Sequence, residues 1–122
     1  MGEEDFGTPG IMHVIDVSDL RAAKQVATFQ VPGATPHNFW LDEARAILYA
    51  AWYERGLRAI DVSGELLGSL DRQGREIASI TYGVGTGCFG GSGTCTWAPQ
   101  LHDGLVYLSD LNTGLWALQA DF

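Results

Sequence analysis

Short apolar runs cut by turn residues fill almost the whole chain. Turn signals fall at Pro9-Gly10, Pro32-Gly33, Asp42-Glu43, Ser63-Gly64, Asp103-Gly104 and Asn112-Thr113-Gly114, the kind of punctuation that links hairpin strands. Between them the pattern predicts strands at about residues 11–17, 25–31, 37–41, 46–52, 57–62, 76–81, 96–99, 105–109 and 115–119, with residues 1–4 as the end of another. Helical character is confined to residues 19–24, DLRAAK, one or two turns at most. The run Ile47-Leu48-Tyr49-Ala50-Ala51-Trp52 has no polar alternation. A strand covered on both faces reads this way, whereas a half-exposed one alternates.

The same phrase then recurs. Residues 11–18 read IMHVIDVS, residues 56–63 read GLRAIDVS and residues 114–120 read GLWALQA. Asp61 follows Asp16 by 45 residues and Gln119 follows Asp61 by 58, the second interval being lengthened by a glycine-rich, cysteine-bearing insert before Trp97. A period of roughly 40–50 residues made of short strands and turns is the pattern of a β-propeller blade. One unit is complete: a strand entered through Thr35-Pro36-His37-Asn38, a tight turn at Asp42-Glu43-Ala44-Arg45, then strands at 47–52, 57–62 and, after a longer link, 76–81. The expected fold is therefore all-β, a β-propeller fragment of about two and a half to three four-stranded antiparallel blades. It forms one domain over residues 1–122, with blade boundaries near 33 and 94. The first blade is expected to lack its opening strand and the last its closing strand. A two-layer sandwich competes, but would leave one face polar more often.

Composition narrows the partners. No apolar run approaches the ~18 residues of a membrane helix, and Met1-Gly2-Glu3-Glu4-Asp5 is acidic where a signal peptide is basic and then apolar. Fifteen acidic against seven basic residues give a net charge of −8. That charge repels phosphate backbones and anionic lipid surfaces, so neither nucleic acid nor a membrane is expected as a partner. The two cysteines, Cys88 and Cys95, stand as Cys-x6-Cys in the insert. The spacing suits a small disulfide ring, which would indicate an oxidising compartment. Two reduced thiols, or half of a metal site, are the alternatives.

GLRAIDVS with its preceding ILYAAWYER, and the matching GLVYLSDLNTGLWAL, resemble the LVIVD-repeat β-propellers. Those are bacterial proteins, largely secreted or cell-surface, whose blades carry a Gly-Leu-x-x-hydrophobic-Asp-hydrophobic-Ser strand. Residues 56–63 match in full; position 11 lacks the leading glycine, and Gln119 replaces the aspartate. The resemblance spans residues 2–118 and implies carboxyl-terminal blades of a ring. It further implies a non-catalytic recognition or scaffolding role, outside the cell or at its surface, and no cofactor. The alternative is part of a propeller-fold hydrolase or lyase whose channel site other blades complete. Partners would be further blades or a second copy covering the open edges, and a protein or carbohydrate ligand.

Candidate chemistry is sparse. Asp16 and Asp61 end strands just before Val-Ser, where a carboxylate accepts backbone N–H groups in the following turn. His37 and Asn38 open an innermost strand, whose end lies at a rim where ligands bind. The bland role for His37 is a hydrogen bond to a neighbouring unit's backbone; Cys95 holds the equivalent position in the third repeat. Trp97, after the cysteine insert, is the aromatic expected at that rim, while Trp40, Trp52 and Trp116 read as packing. His13, His102, Cys88 and Cys95 lack zinc-ligand spacing, and Asp110-Leu111-Asn112 lacks that of a calcium loop, so no metal is expected. Residues 85–90 satisfy G-x-G-x-x-G, but Gly91-Ser92-Gly93 follows where a phosphate-binding loop needs a helix.

Overall fold

A computed structural model describes residues 1–7 and 9–122. Ten strands follow one another: β1 (Ile11–Asp16), β2 (Lys24–Gln30), β3 (Phe39–Asp42), β4 (Ile47–Ala51), β5 (Leu57–Asp61), β6 (Gly68–Ser69), β7 (Glu76–Ile80), β8 (Thr96–His102), β9 (Leu105–Asp110) and β10 (Gly114–Gln119). They form three open sheets, ordered β1-β2-β6, β3-β4-β5-β7 and β10-β9-β8. The middle sheet is the four-stranded meander that the turn residues predict, antiparallel throughout. No helix occurs among the described residues, so the chain is all-β.

Turn chemistry explains the hairpins. Asp103 and Gly104 both lie in the left-handed region, at φ 47° and 78°, between the paired His102 and Leu105. A two-residue Asp-Gly turn of this kind matches the natural twist of the flanking strands. At the β3–β4 turn the Asp42 carboxylate accepts the Arg45 backbone N–H at 3.1 Å and its guanidinium at 2.7 Å. That side-chain bond from Arg45 holds the Asp42 carboxyl below the ordinary aspartate range.

The middle sheet is covered on both faces. Ala50, Trp52 and Ile60 join Met12, Ala27 and Phe29 of the first sheet in one core cluster. Ile47, Tyr49, Leu57 and Ala59 join Val106 and Leu108 of the third in another. Successive β4 side chains thus enter different cores, which is why residues 47–52 carry no polar alternation.

Residues 1–3 lie beside β1 as the expected end of a further strand, Glu3 N–H donating to Ile11 O at 2.8 Å and His13 N–H to Met1 O at 2.7 Å, in the place that β4 takes beside β5. Two expectations are corrected. Residues 19–24 make a turn instead of helix: Asp19 O accepts the Ala22 N–H at 2.9 Å, the Asp19 carboxylate accepts Arg21 N–H at 2.9 Å, and β2 already begins at Lys24. Local capping by a short acidic side chain competes there with helix propagation. Second, the link between β5 and β7 contains β6, which runs parallel to β2 and so joins the first sheet. Fully buried Leu70 anchors it, its N–H donating to Thr28 O at 2.8 Å.

Candidate functional site

The first strands of the second and third sheets meet at one end of the molecule. Asn38 N–H donates to Trp97 O at 3.4 Å and Thr96 N–H to Tyr53 O at 3.1 Å. His37 Nδ1 lies 2.7 Å from Trp97 O. A carbonyl only accepts, so Nδ1 carries the proton, and in the neutral ring Nε2 is left as an acceptor. The imidazole also stands 4.0 Å from the Trp97 ring, centroid to centroid. The His37 hydrogen bond ties the start of the second sheet to the backbone of the third. Asn38 takes part through its backbone, its carbonyl accepting from Ala51 N–H at 2.9 Å.

Tyr53 is the hub of this end, and the sequence pattern gave it no special place. It sits in the β4–β5 turn at φ 36° and is buried. The rings of Phe6, Phe89, Trp97 and His37 surround it at 5.6, 5.5, 5.8 and 5.3 Å. Its hydroxyl donates to the Glu4 carboxylate. Burial, and then that carboxylate, push its pKa well above the ordinary phenol value. Phe6 and Phe89 meet edge to face at 5.4 Å, yet are 66% and 58% exposed. The result is an aromatic corner on a rigid base. Tyr53 ends the apolar run 47–53, which was the signal available for its burial.

The glycine-rich insert is fastened beneath this corner. Cys88 and Cys95 form a buried disulfide packed against Tyr53. Asn112 Nδ2 donates to the carbonyls of Gly87, Cys88 and Gly93 at 3.2, 2.7 and 2.9 Å. Asp110 accepts the N–H groups of Cys95, Asn112 and Thr113 at 2.6, 2.9 and 2.9 Å. The carboxylate is thereby committed to backbone donors. Asp16 and Asp61 do the same on a smaller scale, accepting Ser18 N–H at 2.9 Å and Ser63 N–H at 2.8 Å.

The remaining candidates are dispersed. His13 contacts Gln25 and Glu3, while exposed His102 lies beside Asp103. Among the described residues no three His, Cys, Asp or Glu side chains are grouped to hold a metal ion. Trp52 is core; Trp116 donates to Thr113 Oγ1 at 2.8 Å and packs on Tyr82. Trp40 is partly exposed, away from the aromatic corner's contacts.

Asp110→Ala leaves three N–H groups without their acceptor, one of them buried, and is expected to lower stability by about 2–3 kcal/mol. Reducing the disulfide should cost roughly 2.5 kcal/mol through the freed loop. Both act on the same segment, so urea unfolding of the reduced variant should show less than the sum. Full additivity would mean that Asp110 and the disulfide act on separate parts of the fold.

No protein-family model, no curated protein and no solved structure matches this chain.

Proposed function

We propose that the chain is an arc of an LVIVD-type β-propeller and acts as a non-catalytic recognition or scaffolding module, outside the cell or at its surface. The contact face is the corner formed by Phe6, Phe89 and Trp97 over Tyr53, with His37 Nε2 and Asn38 beside it; the ligand is a protein or a carbohydrate. The observation that carries this reading is the pair of exposed phenylalanines mounted on buried Tyr53. Large aromatic faces held in water over a fixed base are what sugar rings and apolar side chains stack on. The disulfide beneath them supports the oxidising location.

The arc reading draws on the cores that the middle sheet shares with the first and the third, and on the bond from Asn38 N–H to Trp97 O where the first strands of the second and third sheets begin. Its consequence is an unfinished end. β10 is an edge strand, and on the face turned away from the middle sheet Leu115 is 74% exposed. Other blades, or a second copy docked head to tail, would cover such a surface.

Two measurements test the proposal. Immobilised protein is screened against oligosaccharide and peptide panels; a hit should weaken at least tenfold in Phe6→Ser/Phe89→Ser, with circular dichroism used to check that the variant keeps its β structure. Binding that ignores this double variant would sink the corner as the contact face. Light scattering should show association that rises with concentration and falls in Leu115→Glu. A monodisperse, cooperatively melting monomer would count against the arc.

A further inference from the structure

Two of the seven basic residues line one groove. The groove, of about 350 Å³, runs between the first and second sheets, lined by Gln30 at the end of β2, Val31 and Pro32 after it, Arg55 in the β4–β5 turn, Arg58 on β5 and Glu76 on β7. It shares no residue with the aromatic corner. Arg58 is drawn well into it, with its side chain 13% exposed. A guanidinium offers five N–H donors, and the protein engages one: Nη1 donates to Glu76 Oε1 at 3.1 Å. Nε is buried with no acceptor. The Arg55 guanidinium has no hydrogen bond or ion pair among the described residues, and it approaches the backbone of Gly33 without obstruction from a side chain there.

A buried guanidinium short of acceptors is unfavourable, and water alone completes it less well than an anion does. Glu76 balances one of the two positive charges, so the groove keeps one in excess within a chain of net charge −8. An oxyanion is repelled by the molecule as a whole and attracted at this one place. We propose that Arg55 and Arg58 form a binding site for a small oxyanion, the carboxylate or phosphate group of a ligand seated in this groove. The planar arginine forks match either group with two parallel N–H···O bonds. Glu76 holds the Arg58 plane in position, and the Gln30 amide supplies a further donor at the rim.

The test follows the arginine Nε–Hε signals of ¹⁵N-labelled protein by NMR while sodium acetate or inorganic phosphate is added, with ionic strength held constant by chloride. The Arg58 and Arg55 signals should shift and saturate in at least one arm, and Arg55→Gln should weaken that binding at least tenfold. Saturation with acetate alone assigns a carboxylate ligand, with phosphate alone a phosphate ligand, and with both the shared oxyanion chemistry. Linear drift in both arms overturns the proposal, as does equal affinity in Arg55→Gln. Arg55 lies in an exposed turn, so this variant decides the matter even if Arg58→Gln fails to fold.

Discussion

Gly56→Ala is expected to destabilise the protein by about 2–5 kcal/mol, while Gly114→Ala costs about 1–2 kcal/mol, although the two glycines hold the same place in the repeat. Both have left-handed backbones, at φ 74° and 86°, so both substitutions strain an L-residue. Only Gly56 is also in close approach. A Cβ there would lie 1.9 Å from the carbonyl oxygen of Ile80, whereas nothing lies within 4 Å of one at Gly114. Ile80 is the residue of β7 opposite Leu57, and its carbonyl cannot retreat without disturbing the β5–β7 ladder. Urea midpoints of the two variants measure the difference. Equal losses would show that the backbone angle, and not the contact with β7, sets the requirement for glycine.

The same comparison explains why the repeat is imperfect. Position 11 holds isoleucine at the start of β1, outside the left-handed region, so the first copy has no need of glycine. Strand order in the middle sheet was legible because each of its turns is marked by Asp, Glu, Arg or Gly beside a continuous apolar run. β6 was not, because Gly68-Ser69 has no apolar pattern and its pairing with β2 depends on a single buried residue, Leu70, at a distance of about 40 residues in sequence. The proximity of His37 and Trp97 was half legible: His37 and Cys95 occupy equivalent repeat positions, which sets residues 37 and 97 at the starts of strands in successive units. Phe6 and Phe89 were not, since both lie outside strands, where no periodic pattern says what they face. Arg55 lies in a turn and Arg58 on β5, and neither stands in a basic run. Whether two such residues share a groove depends on how neighbouring sheets stack, a property no local pattern encodes.

Trp52 gives the other large effect, and it separates packing from hydrogen bonding. The side chain is fully buried between the first and second sheets, its ring 5.5 Å from that of Phe29 and in one cluster with Met12, Ala27 and Ile60. Trp52→Ala removes that bridge and leaves a void that close-packed sheets cannot fill, so a loss of about 3–5 kcal/mol is expected. Against a total of about 5–15 kcal/mol for an ordinary domain, this unfolds much of the population near physiological temperature. Trp52→Phe should behave differently. The indole Nε1 is buried with no hydrogen-bond partner among the described residues, and an unsatisfied donor of that kind costs about 1–3 kcal/mol. Phenylalanine keeps most of the apolar contact and removes the donor, so the two changes offset and the net loss should stay below about 1.5 kcal/mol. Chemical denaturation of the three proteins, followed by circular dichroism so that the lost tryptophan does not bias the signal, gives both differences. A loss in Trp52→Phe as large as in Trp52→Ala would mean that the indole N–H has a partner, a bound water or a group that shifts in solution. The contact between the first two sheets would then rest on that bond as much as on burial.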